Sequence, residues 1–179
     1  RDGTINKNTH YLIDFEDFEL LPGVGEALKL LQELGYRLFV VSNQSGVARG
    51  LFSYQDVEDL HAKVAALFTG MGIRVEEFVF CPHHPEGKVE TYAMECECRK
   101  PKPGMLRYLT EKYGLDMELS FMVGDNESDA QAGINAGAQG VWLRPESAVI
   151  ALTGQVDNRR NIKEFVSLLD FAESLRDID

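Results

Sequence analysis

The chain has 179 residues, enough for one domain with a full core and too few for two of ordinary size. Apolar residues make up 44% and charged ones 26%, a globular balance, and no apolar run approaches the roughly 18 residues of a membrane span. The formal net charge of -11 argues against a nucleic-acid partner, because the clusters Arg99-Lys100-Pro101-Lys102 and Arg159-Arg160 are too small to make a basic face.

A first helix is predicted over residues 23–34, where Val24, Ala27, Leu28, Leu31 and Leu34 recur at helical spacing between Pro22 and Gly35. Residues 36–41 (YRLFVV) read as a buried parallel strand that ends in the polar loop SNQSG. Residues 53–71 read as a helix with Ser53 as its N-cap. Residues 77–81 (EFVFC) form a second strand, and residues 82–102 are long, polar and irregular. A helix over 103–113 ends at Gly114. Residues 120–123 (SFMV) form a third strand running into GDNESD. A short helix over 129–136 is closed by Gly137, and 140–143 (GVWL) is a fourth strand. A last amphipathic helix is predicted over 162–175.

This alternation predicts an α/β fold, a doubly wound parallel sheet in a single domain over residues 1–179. In such sheets the reactive edge lies beyond the carboxyl ends of the strands. The loops SNQSG, CPHHPEG and GDNESD all fall there. One helix fills the space between Thr4 and the strand at Tyr36, so only a minimal cap fits. The tail beyond Pro145 matches nothing else in this plan.

The chain opens Arg1-Asp2-Gly3-Thr4. Alone, Asp-Gly-Thr is equally a plain turn. Three further elements change its weight. Ser42 closes a hydrophobic strand with Asn43, where its hydroxyl either caps the strand or donates to a phosphoryl oxygen. Lys100 precedes a helix within a cluster of cations, which oppose a helix dipole there unless an anion is expected. As a functional residue it neutralises a transferring phosphoryl group; otherwise it is a solvated charge. Asp125 and Asp129 follow the strand SFMV, where carboxylates suit a hard cation such as Mg²⁺, or cap the next helix.

In this order the elements resemble the four signatures of the haloacid dehalogenase superfamily: D-x-D-G-T, a strand-end Ser or Thr, a Lys, and G-D-x-x-x-D. The resemblance covers roughly residues 1–145. It implies a Rossmann-like fold and an aspartyl-phosphate intermediate, with the nucleophile two residues before a general acid/base. Asp2 is then the acid/base and its backbone carbonyl a Mg²⁺ ligand. Asp125 is the side-chain Mg²⁺ ligand, and Ser42 and Lys100 hold the phosphoryl oxygens. The nucleophile falls just before Arg1, so the molecule is expected to continue upstream through a further strand that carries it. A non-catalytic module that keeps the fold but lacks the nucleophile is the alternative from another class.

Cys81-Pro82-His83, twelve residues, then Cys96-Glu97-Cys98 makes a Cys₃His set that suits tetrahedral structural Zn²⁺ and uses every cysteine of the chain. His84 competes with His83, and the Cys-x-His pattern favours His83. An odd number of thiols on a metal loop points to a reducing, cytoplasmic setting.

A superfamily member with this loop (residues 81–98) looks like the D,D-heptose 1,7-bisphosphate phosphatase and histidinol-phosphatase branch. SNQSGVARG, CPHHPEG and CRKPKPGM resemble the heptose enzymes. The resemblance implies a phosphorylated sugar as substrate, losing its C7 phosphate. It implies sugar contacts from Asn8, Thr9, His10 and Tyr11, and phosphate contacts from Ser42, Asn43, Gln44 and Ser45. Arg99 would meet the distal end of the substrate, and Asn126 is a further candidate. Histidinol phosphate or another small phosphomonoester is the alternative substrate. The acidic chain shows no apolar stripe, which points to a monomer.

Overall fold

The structure, a computed structural model, describes residues 1–8, 11–144 and 162–176. In chain order it has α1 (Val24–Glu33), β1 (Leu38–Asn43), α2 (Tyr54–Gly70), β2 (Val75–Cys81), α3 (Gly104–Tyr113), β3 (Phe121–Gly124), α4 (Glu127–Asn135), β4 (Gln139–Leu143), β5 (Ile162–Phe165) and α5 (Leu168–Ser174). Every strand pair is parallel: β1 with β2, β3 with β4, and β4 with β5. The expected α/β alternation therefore holds.

Side chains alternate across each strand, so successive residues serve opposite faces. Leu38 and Val40 of β1 join Leu28 and Leu31 of α1, Phe68 of α2 and Phe171 of α5. Val41 instead joins Met105 and Leu109 of α3. On β3, Phe121 and Val123 pack against the first cluster and Met122 belongs to the second. Helices thus cover both faces. The helix α2 begins as its sequence dictates. Ser53 Oγ accepts from the Asp56 amide at 3.1 Å, and Asp56 Oδ2 accepts from the Ser53 amide at 2.7 Å.

One predicted element is corrected. Residues 162–175 are not one helix. Ile162–Phe165 pairs with β4, Ile162 beside Gly140 and Phe165 beside Leu143. The helix starts only after Ser167, whose hydroxyl accepts from the Asp170 amide at 3.1 Å. The apolar spacing fits either period over so short a stretch, and pairing with β4 decides it. Residues 145–161, including Arg159 and Arg160, lie outside the described residues, as do Thr9 and His10.

The register sets Asn43 beside Cys81 and Gly124 beside Trp142. The polar loops therefore leave their strands at the carboxyl ends. β1 pairs on one side with β2, and β3 on one side with β4. An apolar cavity of about 440 Å³ is lined by both β1 and β3, with Leu31, Leu109, Phe171 and the first residues of the chain. No helix among the described residues is long and apolar enough to cross a membrane.

Candidate active site

A second, polar cavity of about 280 Å³ lies at the strand ends, and Asp2, Ser42, Lys100 and Asp125 all line it. The opening turn brings the first of these to the last. Gly3 has φ +80°, and a Cβ there would collide with the Asp125 carboxylate, so only glycine allows the approach. Thr4 then ties the two segments. Its hydroxyl donates to Asp125 Oδ1 at 3.1 Å and accepts from the Asp125 amide at 3.1 Å. This role of Thr4 has no local signature, although the residue stands in the same motif as Asp2.

The Asp2 carboxylate accepts from Arg1 Nη2 at 2.9 and 3.0 Å, from Asn6 Nδ2 at 3.0 Å and from Gln44 Nε2 at 3.1 Å. Burial pushes its pKa up, but the Arg1 guanidinium, the amino-terminal charge beside it and the Asn6 and Gln44 amides together outweigh burial and hold it below the usual carboxylate range. Gln44 also donates to Ser42 Oγ at 2.7 Å. That leaves the Ser42 hydroxyl hydrogen for an outside acceptor. Gln44 is itself buried behind the cavity rather than on its wall.

Asn43 clamps the backbone of Lys100, donating to its carbonyl at 3.2 Å and accepting from its amide at 3.1 Å. The Lys100 ammonium lies 2.7 Å from Asp129 Oδ1, and both side chains are only 8% exposed. Asp129 Oδ2 accepts from the Asn126 amide at 3.1 Å, so Asp129 caps α4 and meets Lys100 at once. The cations of residues 99–102 do not act together, as their clustering suggested. Lys100 turns to Asp129, Lys102 pairs with Glu97 at 3.1 Å, and Arg99 donates to the His83 carbonyl at 3.3 Å.

Asp125 is pushed above the usual carboxylate range, first by burial and then by the negative charge of Asp129. Two crowded carboxylates at a strand end are a donor set that a hard cation relieves. Asn8, Tyr11, Ser45 and Asn126 also line the cavity. Tyr11 adopts φ 60°, the left-handed region. Arg99 is not on the wall.

Beyond β2, the ligand atoms of Cys81, His83, Cys96 and Cys98 lie within 4.8 Å of one another. The sulfurs are 3.0 to 3.5 Å apart, and His83 Nδ1 lies 3.3 Å from Cys98 Sγ. A tetrahedral Zn²⁺ with Zn–S near 2.3 Å needs edges of about 3.8 Å, so a small expansion accommodates it. His84 faces elsewhere, its Nε2 being 3.1 Å from Arg49 Nη2.

A sequence model of the haloacid dehalogenase-like hydrolases matches residues 2–137. A D-glycero-beta-D-manno-heptose-1,7-bisphosphate 7-phosphatase of Rhodopseudomonas palustris is 44% identical over 146 residues, covering 82% of this chain and 81% of the relative. A protein of the same name from Escherichia coli K12 is 40% identical over 136 residues, 76% of this chain and 71% of the relative. Among solved structures, a D,D-heptose 1,7-bisphosphate phosphatase from B. bronchiseptica, complexed with magnesium and phosphate, superposes with a TM-score of 0.79. It is 29% identical and covers 98% of this chain and 94% of that one.

Proposed function

The chain belongs to the haloacid dehalogenase-like hydrolase family, and from that premise we propose a phosphomonoester hydrolase that works through an aspartyl-phosphate. Its substrate is a heptose 1,7-bisphosphate, from which it removes the C7 phosphate. The observation that carries this reading is the convergence of Asp2, Ser42, Lys100 and Asp125 on one polar cavity. The names of the relatives support the substrate.

In this reading a carboxylate on a strand preceding Arg1, seated between β1 and β3, attacks phosphorus. The bond to the sugar oxygen breaks, and Asp2 gives that oxygen a proton. Asp2 then takes a proton from water, which attacks the aspartyl-phosphate and releases phosphate. Asp2 is ionised in the free site because of Arg1, as its second task requires. An arriving phosphate dianion raises its pKa and so favours protonation for the first. Ser42 donates to a phosphoryl oxygen, and Lys100 exchanges part of its contact with Asp129 for another. Asp125 and the Asp2 carbonyl would hold Mg²⁺, which supplies charge neutralisation between two anions. Cys81, His83, Cys96 and Cys98 would hold Zn²⁺ with no open position, ordering a loop poor in apolar residues. We assign Asn8, Tyr11, Ser45 and Asn126 to the sugar and phosphate, and Arg99, with its bidentate fork, to the second phosphate. Three cysteines outside any disulfide suit a cytoplasmic enzyme, and the acidic chain a monomer.

Phosphate release from heptose 1,7-bisphosphate and from histidinol phosphate, with and without Mg²⁺, tests this. The bisphosphate is expected to be preferred at least about tenfold in kcat/KM, and Asp2→Asn to lower kcat by at least about 100-fold. Preference for histidinol phosphate would overturn the substrate. Full activity in Asp2→Asn would overturn the mechanism.

A further inference from the structure

Both backbone polar groups of Asp125 are held by side chains from outside its own strand. Thr4 Oγ accepts from its amide at 3.1 Å. Its carbonyl accepts from the indole Nε1 of Trp142 at 2.9 Å. Trp142 is the only tryptophan of the chain. It sits on β4 directly beside Gly124, the residue before Asp125.

The indole is itself fixed. Two residues on, and so on the same face of β4, the Arg144 guanidinium lies 4.6 Å from the ring centroid. Arg144 in turn pairs with both carboxylate oxygens of Glu164 on β5, each at 3.1 Å. A line of contacts therefore runs from β5 through β4 to the carbonyl of Asp125. With the amide held by Thr4, fixing that carbonyl fixes the Asp125 backbone and so the direction of its Cα–Cβ bond, while Thr4 Oγ1 and Asn126 Nδ2 hold the carboxylate oxygens at 3.1 Å each.

We propose that Trp142 is a positioning residue for the divalent-cation site: its indole N–H holds the Asp125 backbone in the orientation that aims the carboxylate at the metal. This rests on the reading of Asp125 as a Mg²⁺ ligand. Groups that orient a metal ligand are worth about tenfold or more in affinity when removed.

Trp142→Phe keeps the ring and its contact with Arg144 but removes the N–H donor. Isothermal titration of the full-length protein with Mg²⁺ is expected to show a dissociation constant raised about tenfold, with the thermal midpoint in Mg²⁺-free buffer lowered by no more than a few degrees. In the unsubstituted protein, Mg²⁺ is expected to shift the Trp142 emission, and Asp125→Asn to abolish both the shift and the binding. An unchanged Mg²⁺ affinity in Trp142→Phe would overturn the proposal. So would an unshifted emission at saturating Mg²⁺, which decides the matter should the variant fail to fold. Undiminished Mg²⁺ binding in Asp125→Asn would instead overturn the reading of Asp125 on which it rests.

Discussion

At the scale of single residues, the site is a set of charges that hold one another in wait. Lys100 and Asp129 are both nearly buried and 2.7 Å apart. Removing one partner of such a pair leaves the other charged and desolvated, which costs about 3 kcal/mol or more. Asp129→Asn keeps an oxygen to cap α4 but removes the charge facing Lys100. Urea unfolding is expected to show a loss of about 3 kcal/mol, and Lys100→Met added to it should recover part of that loss. If the single variant is as stable as the parent, the pair contributes nothing of the kind. Asp2, Ser42, Lys100 and Asp125 were legible in the sequence because each ends a strand or opens a turn in a recurring pattern, whereas Arg1 and Ser128, on the same wall, were not. Nor were Thr4 and Trp142, and Gln44 was expected at the phosphate rather than on Asp2, because each acts by reaching a group far along the chain. Thr4 meets Asp125 across 121 positions and Gln44 meets Asp2 across 42. No local spacing encodes such contacts.

At the scale of elements, strands β1 to β4 and helices α1 to α4 were readable from apolar period and from caps such as Ser53. The segment at 162–175 was not, because only its neighbour β4 decides its period. The helix α2 carries a further consequence. His61 is buried on it, its ring 5.1 Å from that of Phe78 and 5.6 Å from that of Phe80, and its Nε2 has no hydrogen-bond partner among the described residues. Burial first, and the nearby Arg1 charge second, hold its pKa down to about 3. The unfolded chain takes up the proton near pH 6.5 and the folded one does not. Stability from this residue is therefore complete above about pH 6.5 and is lost as pH falls, by about 1.4 kcal/mol per unit. Between pH 7 and pH 5 the unsubstituted protein is expected to lose about 2 kcal/mol more than His61→Leu, measured by urea unfolding at each pH. Equal losses in both proteins would show that His61 is protonated in the fold.

At the scale of the whole molecule, the two parallel sheets stand on either side of an apolar cavity. β1 has six residues and β3 has four, and among the described residues each has one hydrogen-bonded neighbouring strand. A strand of about five residues spans about 17 Å, which matches both edges. Seated there in parallel, it would order the sheet as β2, β1, the added strand, β3, β4 and β5. Its inward side chains would meet Leu31 and Phe171 on one face and Leu109 on the other. Its carboxyl end would emerge beside Asp2, where the proposed mechanism needs a carboxylate. Two ladders of backbone hydrogen bonds and a filled cavity should be worth several kcal/mol together. The protein carrying an apolar strand before Arg1 is therefore expected to melt at least about 10 °C higher than one starting at Arg1. Hydrogen exchange should show slow amides along Leu38–Asn43 and Phe121–Gly124 in the first and faster ones in the second. Lysines placed at the inward positions of the added strand should erase the gain, because there they would meet Leu31, Leu109 and Phe171. Equal protection of both edges with and without the strand would mean that the two sheets do not join in this way.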